Sequence, residues 1–373
     1  MAATERKLLD DESSFFTASQ RQTLRRRLLT WYAAHKRDLP WRRSRDPYRV
    51  WLSEIMLQQT QVATVKDYFD RFTRAFPDVH SLAAAEESDV LRLWEGLGYY
   101  RRARQLHAAA KKVVAEYGGT FPDEAEELQQ LPGIGRYTAG AIASIAFNRR
   151  APILEANTIR LLSRLVAYRG NPHSQAGQRP LWRVAEEILP QKRVAEFNQA
   201  LMELGSLVCT PNEPKCSACP LSAVCAAFAA GLQHEIPLAK PRQVYTDLRE
   251  AAVIVRKNGS VLVRQCGADE RWAGLWDFPR FAVEADGPLF ARKEIAAKVA
   301  SQTGIACDPG GLLKTLKHGV TRYRITLDCY QATYVSGRVR ATTSAAVRWL
   351  PVGELSLLPL STTGRKIANL IGR

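Results

Sequence analysis

The chain has 373 residues, of which 46% are hydrophobic and 24% are charged, the composition of a folded soluble protein with room for two domains. It contains no apolar run near the roughly 20 residues of a membrane-spanning helix, and acids interrupt its first residues where a secretion signal would be apolar. We therefore expect a cytoplasmic protein. Lys and Arg outnumber Asp and Glu by 53 to 37, which favours a polyanion partner such as nucleic acid, although composition alone leaves open an ordinary protein of high isoelectric point.

The pattern of the chain changes at about residue 230. Before it, apolar residues recur every three or four positions, which predicts a helical domain over residues 20–230. Residues 231–247 lose this period and contain two prolines, which is typical of a linker. Residues 248–373 mix strand and helix patterns and predict an α+β domain with an antiparallel sheet, whose first strands flank the Asn-Gly turn of AAVIVRKNGSVLVRQ.

The segment VWLSEIMLQQT places a carboxylate in a helix that is apolar on most of its faces. Trp51, Leu52, Ile55 and Met56 surround Glu54 around the helix, so we expect this side chain to be buried. Burial disfavours the ionised form and raises the pKa of a carboxyl group. Glu54 is therefore a candidate proton donor near neutral pH.

The segment EELQQLPGIGRYTAGAI predicts two helices joined by a tight turn. Gly133 and Gly135 would let the backbone approach a ligand closely, and the second helix begins with free N–H groups and the positive end of its dipole. Such a hairpin can bind a DNA phosphate without reading the base sequence. Many other helix pairs also turn on glycine, so the signal is weak by itself.

The segment APILEANTIR, residues 151–160, contains a second isolated carboxylate. Glu155 stands just before an apolar periodic run. From these residues alone, an acid that caps a helix and faces solvent is the more common interpretation. The alternative is that Glu155 is one half of a catalytic pair.

The seven cysteines form one cluster and three isolated positions. The cluster CTPNEPKCSACPLSAVC has the spacing C-x6-C-x2-C-x5-C, and in a reducing cytosol clustered thiols favour a metal over disulfides. One close pair of cysteines with two outer ligands suits a [4Fe–4S] cluster better than zinc, which remains the alternative. This spacing resembles the cluster loop of endonuclease III-like DNA glycosylases. The predicted ligands are Cys209, Cys216, Cys219 and Cys225, and the cysteines expected to pack in the interior are Cys266, Cys307 and Cys329.

Six motifs together resemble one family, the adenine DNA glycosylases (MutY family) of the helix-hairpin-helix superfamily. They are LPWR at 39–42, WLSEIMLQQTQVATV at 51–65, GLGYYRRARQL at 96–106, LPGIGRYTAGAI at 131–142, FNQALMELG at 197–205 and the cysteine loop. The resemblance implies a mainly α fold, in which a two-lobed helix-hairpin-helix glycosylase domain with a [4Fe–4S] loop precedes an α+β Nudix-like domain.

The resemblance also implies an activity. The expected protein is a monomeric, monofunctional enzyme of base excision repair that flips adenine out of double-stranded DNA and hydrolyses its glycosidic bond. Its substrate would be adenine mispaired with 8-oxoguanine or guanine. The expected location is the bacterial cytoplasm, at the nucleoid through DNA.

The resemblance assigns roles to residues of this sequence. Glu54 corresponds to the general acid that protonates adenine N7 and then activates water, and Glu155 to the carboxylate that stabilises the positive charge left on the sugar. Tyr137 and Asn157 correspond to residues that steady the sugar and its partner carboxylate. Tyrosine cannot form a Schiff base, so no lyase activity is expected. The other correspondences are the adenine pocket, Arg37, Leu39, Trp41 and Gln199, and the duplex wedge, Gln59 and Tyr99, for which ordinary packing is the alternative.

Two departures from the family pattern bear on activity. The family has aspartate and glycine where this chain has Glu155 and Ala156, and the extra carbon displaces the carboxylate by on the order of 1 Å. We still expect activity, and because the flanking residues match the family segment we reject the cap interpretation of Glu155. The opposite-base loop of the family reads Phe-Ser-His where this chain has Val320, Thr321 and Arg322.

Three alternatives to this function remain. The first is the same chemistry with an altered opposite-base preference, and the second is a mismatch-binding protein in which Glu155 is mispositioned for catalysis. The third, a pyrimidine-lesion enzyme of the endonuclease III type, is disfavoured by Tyr137 and by the extra C-terminal domain. That domain offers only Glu294 in ARKEIAAKVA, so we expect it to recognise its ligand without hydrolysing pyrophosphate.

Overall fold

The computed structural model describes residues 14–241, 243–284, 288–340 and 346–372. The chain divides into two compact units. The first unit consists of the chain up to residue 84 together with residues 105–241, and the second consists of residues 85–104 together with the chain from residue 242 onward. Each unit has a buried apolar core of its own. No helix within the described ranges is long and apolar enough to cross a membrane.

The first unit is helical. Large apolar side chains such as Leu24, Leu161, Leu181 and Phe197 are almost completely buried and join four of its helices into one core. Helix α5 lies in the second unit, and α6 is shared by the two. The helices are α1 (Ala18–His35), α2 (Pro47–Leu57), α3 (Val62–Ala75), α4 (Val79–Ala84), α5 (Glu87–Leu93), α6 (Arg101–Tyr117), α7 (Ala125–Leu128), α8 (Arg136–Ile145), α9 (Ala156–Leu165), α10 (Gln175–Ile188), α11 (Val194–Leu207) and α12 (Ala226–Ala229), with 3-10 turns at Pro40–Arg42, Cys216–Ala218 and Ser222–Val224.

Helix α2 is buried on most faces, as the sequence predicts. Asp46 caps its start by accepting a hydrogen bond from the Tyr48 N–H at 2.9 Å, and Pro47 occupies the first turn, where a helix can do without an N–H donor. Trp51 is fully buried and Glu54 is only 7% exposed. The predicted burial of Glu54 is therefore confirmed.

The LPGIG turn joins α7 to α8, and α8 packs against the segment that leads to Glu155. A Cβ atom at Gly140, in the middle of α8, would lie 2.3 Å from the carbonyl oxygen of Pro152. Only glycine permits this approach. The approach sets the separation between α8, which carries Tyr137, and the chain that enters Glu155.

The second unit contains a mixed α+β fold. The Asn-Gly hairpin predicted from the sequence is confirmed, because Asn258 and Gly259 both have positive φ, 47° and 77°, and join β1 to β2. β1 begins inside the segment 231–247 that the sequence assigns to a linker. The elements are β1 (Thr246–Lys257), β2 (Ser260–Gln265), β3 (Trp276–Asp277), β4 (Arg280–Ala282), α13 (Pro288–Thr303), β5 (Ile305–Val320), β6 (Tyr323–Gly337), β7 (Val347–Pro351), a 3-10 turn (Val352–Leu357) and α14 (Thr362–Ile371).

Among the described residues of this unit, seven strands form one sheet in the order β3-β2-β1-β6-β5, with β4 beside β1 and β7 beside β2. The prediction of an antiparallel sheet is wrong for its centre, since β1 and β6 run parallel from Thr246 opposite Tyr323 to Arg256 opposite Thr333. An alternating pattern determines which face of a strand is buried and not the direction of its neighbour. The chain between β1 and β6, which includes α13, is long enough for the crossover that a parallel pair needs.

Replacing Gly140 with alanine is expected to lower the free energy of unfolding by about 1–3 kcal/mol, because the added methyl group overpacks a backbone contact. Equilibrium urea unfolding measures the change. Gly353→Ala is the matched control, since nothing lies within 4 Å of a Cβ at that position. Equal unfolding free energies for the two variants would contradict the proposed tight contact with Pro152.

Candidate active site

The first unit contains a cavity of about 640 Å³ that is lined by all the predicted catalytic and adenine-pocket residues and by Gln59. Its wall is formed by the ends of several elements: the segment before α2, α2 itself, the start of α8, the start of α9 and the middle of α11. Residues far apart in the chain thus converge on a space large enough for a nucleoside. The predicted residues that line it are Arg37, Leu39, Trp41, Glu54, Gln59, Tyr137, Glu155, Asn157 and Gln199.

Glu54 faces this cavity from α2 as a carboxyl group with an altered acidity. The pKa of Glu54 is raised to about 7, chiefly by burial; the hydrogen bond from Tyr137 acts in the opposite direction, and the negative charge of Glu155 makes a smaller contribution that raises the pKa. The Tyr137 hydroxyl donates to Glu54 Oε2 at 2.5 Å. Burial also raises the pKa of Tyr137 well above its usual value, so the phenol stays protonated and remains a donor. Glu54 can therefore hold or release a proton near neutral pH.

Glu155 enters the cavity from the N-cap position, immediately before the first residue of α9. Its Oε1 accepts from the Thr158 N–H at 2.9 Å and its Oε2 from the Asn157 N–H at 2.8 Å, while Thr158 Oγ1 accepts from the Glu155 N–H at 2.7 Å. The rejection of the cap interpretation is therefore wrong. A helix N-terminus satisfies a buried carboxylate with N–H groups and with its dipole, so a cap that lines the cavity can also serve as a site residue.

The acidity of Glu155 reflects two opposing effects. Burial is the larger effect and leaves the pKa of Glu155 raised, although the N–H donors of Asn157 and Thr158 act in the opposite direction. The Asn157 side-chain amide adds a third donor, at 3.2 Å from Oε2. These donors stabilise the ionised form of Glu155, while Glu54, which accepts from one phenol, is the better candidate for the protonated partner.

Arg160 is a site residue that the sequence did not single out. Its Nη2 donates to Asn157 Oδ1 at 2.9 Å and to the Gly205 carbonyl at 2.7 Å, and its Nε donates to the Cys209 carbonyl at 2.7 Å. The guanidinium thus fixes the orientation of Asn157, which in turn holds Glu155. Its helical spacing of three from Asn157 was the available signal, whereas its contacts with Gly205 and Cys209 are long-range.

Glu203 is a second residue that sequence reasoning missed, although it lies in the FNQALMELG motif. Its carboxylate is fully buried and accepts from Arg37 Nε and Nη2 at 2.9 and 2.8 Å and from Arg42 Nη2 at 2.9 Å. Burial alone would raise the pKa of Glu203, but these hydrogen bonds outweigh it and lower the pKa to about 2. Glu203 therefore remains ionised and holds Arg37 and Arg42 in the cavity wall.

The apolar part of the wall is held by aromatic packing. Leu39 and Trp41 are 3% and 5% exposed, and Trp41 meets the ring of Phe69 edge to face at 5.5 Å. Gln199 accepts a hydrogen bond from the Tyr32 hydroxyl at 2.5 Å. A flat apolar wall with a few fixed polar groups is the kind of surface that binds a purine.

The remaining predicted DNA-binding residues lie outside this cavity. Gly133 and Gly135 form the turn before α8, and Gly133 has a positive φ of 77°. In the second unit, Tyr99 is half exposed on a left-handed backbone. Val320 is the last residue of β5, and Thr321 and Arg322 form the turn to β6, where Thr321 has a φ of 49°. The list of predicted residues thus separates into the cavity group and these surface positions.

The four clustered cysteines, Cys209, Cys216, Cys219 and Cys225, line one small cavity of about 20 Å³ beside Arg164. Arg164 Nη1 donates to Cys209 Sγ at 3.3 Å, and Cys225 Sγ donates to the Arg164 carbonyl at 3.4 Å. As they are placed, the described residues include no group of three or more Cys, His, Asp or Glu that could hold a metal ion. The donor set itself, four thiols around one space beside a guanidinium that can balance thiolate charge, fits an iron–sulfur cluster.

Comparison with known proteins shows the family. A family model described as HhH-GPD superfamily base excision DNA repair protein matches residues 52–187, and a NUDIX domain model matches residues 250–370. The chain is 34% identical to the adenine DNA glycosylase of Rattus norvegicus over 92% of this chain and 77% of that protein. It is 47% identical to the adenine DNA glycosylase of Homo sapiens over 91% of this chain and 72% of that protein.

Solved structures agree with this result for the helical part. The chain resembles a thermostable thymine-DNA glycosylase with 30% sequence identity and a TM-score of 0.52, over 57% of this chain and 98% of that one. The predicted fold class, a helix-hairpin-helix glycosylase domain with a Nudix-like domain, is confirmed. The chain belongs to the adenine DNA glycosylases, within the helix-hairpin-helix superfamily of base excision repair proteins.

Proposed function

We propose that this protein removes adenine from mispairs with 8-oxoguanine in duplex DNA by hydrolysing the bond between the base and its deoxyribose. Membership of the family makes it an adenine-specific DNA N-glycosylase of base excision repair. The opposite base, the roles of individual residues and the cofactor are the proposal. The observation that carries it is that a buried carboxyl group, Glu54, and a partly buried one, Glu155, line the same cavity, where burial and, to a smaller extent, the charge of Glu155 raise the pKa of Glu54.

The acid step follows from the position of Glu54. With a pKa of about 7, this carboxyl group is protonated in a large fraction of molecules at neutral pH and can donate to adenine N7, which makes the base a neutral leaving group. Tyr137 keeps the carboxyl group in place through its hydrogen bond to Oε2. After the base has left, the carboxylate of Glu54 can accept a proton from the attacking water.

Glu155 acts on the sugar. Loss of the base leaves positive charge on the deoxyribose ring, and a fixed carboxylate beside it stabilises the oxocarbenium ion. The N–H groups of Asn157 and Thr158 hold Glu155 without neutralising its charge. Because Tyr137 is a phenol and cannot form a Schiff base, the proposed enzyme leaves an abasic site and does not break the strand.

Adenine would lie against the wall formed by Arg37, Leu39, Trp41 and Gln199. Glu203 orients Arg37 there, which supports a specific polar contact with the base rather than a mobile charge. Extrusion of the base would be assisted by Gln59 and Tyr99, and the duplex would be held by the hairpin at Gly133 and Gly135. The partner is thus double-stranded DNA, which the net charge of +16 favours.

The second unit would read the opposite base. The turn of Val320, Thr321 and Arg322 presents a hydroxyl and a guanidinium, and arginine is a good donor to the O6 and N7 edge of guanine. In the proposed enzyme, the helical glycosylase domain over residues 20–230 acts on the adenine, and the recognition domain over residues 248–373 binds the opposite base.

The cofactor of the proposed enzyme is a [4Fe–4S] cluster held by Cys209, Cys216, Cys219 and Cys225. Bound there, a cluster would cross-link the loop and fix its shape. The cysteine loop also contacts the site through its backbone, because the Cys209 carbonyl accepts a hydrogen bond from Arg160, which orients Asn157.

The proposed substrate is tested with duplexes that carry adenine opposite 8-oxoguanine, guanine, cytosine or thymine. We expect alkali-labile sites opposite 8-oxoguanine and, more slowly, opposite guanine, with no strand breaks before alkali. Equal cleavage opposite all four bases would contradict the opposite-base assignment. Tight binding without abasic product would show a mismatch-binding protein, and breaks before alkali would show a lyase.

Glu54→Gln is expected to reduce single-turnover base removal by at least roughly 100-fold while duplex affinity stays unchanged, since the amide cannot donate the proton. The wild-type rate should fall as the pH rises above about 7, where Glu54 loses its proton. A wild-type rate that is constant from pH 6 to pH 9 would contradict the acid assignment.

The same substitution should stabilise the fold at high pH. The pKa of Glu54 is raised above its unfolded value of 4.5, so the wild-type protein loses stability as the pH rises from 4.5 to about 7. Glu54→Gln should therefore gain at most about 3 kcal/mol at pH 8 and nothing at pH 4, since each pH unit in this window corresponds to about 1.4 kcal/mol. Urea unfolding at the two pH values measures the difference.

Glu155→Asp is expected to keep activity within about tenfold of wild type, because aspartate also caps helices well and restores the shorter acid of the family. Glu155→Ala should lose base removal and about 1 kcal/mol of stability with the cap. Single-turnover rates and unfolding midpoints separate the two effects. Full activity of Glu155→Ala would show that the second carboxylate has no catalytic part.

A further inference from the structure

The turn that carries Tyr99 belongs to the second unit. Residues 85–104, which contain α5 and the turn after it, group with the chain from 242 onward rather than with the helices on either side of them in sequence. Tyr99 is 50% exposed and has a positive φ of 48°. An exposed aromatic ring on a constrained backbone is suited to stack against a nucleobase.

One ion pair ties this turn to the last helix of the chain. Arg365 in α14 donates from Nε to Glu95 Oε1 at 2.7 Å and from Nη2 to Glu95 Oε2 at 2.9 Å, which is a bidentate ion pair. The side chains of Arg365 and Glu95 are 23% and 15% exposed. The Leu360 N–H adds a contact to Glu95 Oε2 at 3.3 Å.

The guanidinium of Arg365 is itself held in the second unit. Its Nη1 donates to the Leu355 carbonyl at 2.8 Å, and its Nη2 donates to the Leu358 carbonyl at 2.7 Å. Arginine can make these bonds and the two bonds to Glu95 together because its five donors have a fixed fork geometry, which lysine lacks. The ion pair therefore fixes both the position and the orientation of the Glu95 carboxylate relative to α14.

The turn between Glu95 and Tyr99 is short and internally bonded. The Trp94 indole N–H donates to the Gly98 carbonyl at 3.2 Å, and Arg102 Nη2 donates to the carbonyls of Leu97 and Gly98 at 3.1 and 3.2 Å. The Arg102 guanidinium also lies 5.8 Å from the centre of the Tyr99 ring. A displacement of Glu95 is thus transmitted to Tyr99 four residues later.

We propose that Arg365 and Glu95 are positioning residues for adenine removal, which couple the wedge turn of Tyr99 to the domain that reads the opposite base. The inference rests on the proposed function. When the turn of Val320–Arg322 engages 8-oxoguanine, the ion pair places Tyr99 at a fixed position on the same duplex, so recognition of the opposite base favours extrusion of adenine. Without the pair, the two contacts with DNA become independent.

The test uses two variants. Arg365→Lys keeps the positive charge but cannot make the bidentate contact, and Glu95→Gln keeps the shape of the side chain but removes its negative charge. The matched control is Arg292→Gln, which removes an exposed ion pair with Asp308 elsewhere in the same unit. Single-turnover adenine removal is measured opposite 8-oxoguanine and opposite guanine. Extrusion is measured by the fluorescence of 2′-fluoro-2-aminopurine, which the enzyme cannot excise, placed opposite 8-oxoguanine.

We expect both variants to lose roughly tenfold or more in rate opposite 8-oxoguanine, to lose less opposite guanine, and to show weaker fluorescence enhancement, since misplacement of the wedge is costly. The control should match wild type. The inference would be overturned if both variants kept the wild-type ratio of the rate opposite 8-oxoguanine to the rate opposite guanine. It would also be overturned if the rate fell while the fluorescence that reports extrusion stayed at the wild-type level. Because each variant is compared with a wild-type enzyme that removes adenine, inactivity of wild type itself would instead refute the proposed function.

Discussion

The site depends on the burial of one carboxyl group, Glu54, in the wall of a cavity that a second carboxyl group, Glu155, also lines. Two ionised carboxylates in a space of low polarity repel each other, and burial penalises both charges, so the pair is most stable when one of them keeps a proton. The surrounding donors determine which one it is. Glu155 accepts two backbone N–H groups and an amide at a helix start, whereas Glu54 accepts one phenol, and the pKa of Glu54 is raised to about 7. A carboxyl group that can hold a proton near neutral pH and a second carboxyl group held by three N–H donors thus line the same cavity.

The rest of the helical unit positions these two groups. Gly140 lets α8 approach the chain before Glu155, which brings Tyr137 and Glu155 to the same cavity. Arg160 connects the start of α9 to the carbonyl of Cys209, so the geometry of the cysteine loop reaches Glu155 through hydrogen bonds. Glu203, by contrast, holds the guanidinium groups of Arg37 and Arg42 in another part of the cavity wall. At Glu54 stability and chemistry oppose each other, because the raised pKa requires a buried carboxyl group.

Much of this could be predicted from the sequence, for identifiable reasons. The burial of Glu54 follows from apolar residues on most faces of one helix, and the Asn-Gly hairpin follows from local turn chemistry. The prediction that Glu155 does not cap a helix is wrong because one carboxylate can both cap a helix and line a cavity. The role of Glu203 could not be predicted because its arginine partners lie far away in the chain, and for Arg160 the spacing of three from Asn157 is a local signal while its contacts with Gly205 and Cys209 are long-range. The parallel pairing of β1 with β6 and the grouping of residues 85–104 with the second unit are likewise properties of the folded topology.

The most direct test of this account is the pKa of Glu54 itself, measured by the carboxyl ¹³C shift of isotopically labelled glutamate during a pH titration, with assignment by Glu54→Gln. The account gives a midpoint of about 7 in the wild-type protein and a lower midpoint in Glu155→Gln, where the neighbouring charge is absent. A midpoint near the ordinary glutamate value of about 4.3, unchanged by Glu155→Gln, would show that the two groups are neither desolvated nor coupled.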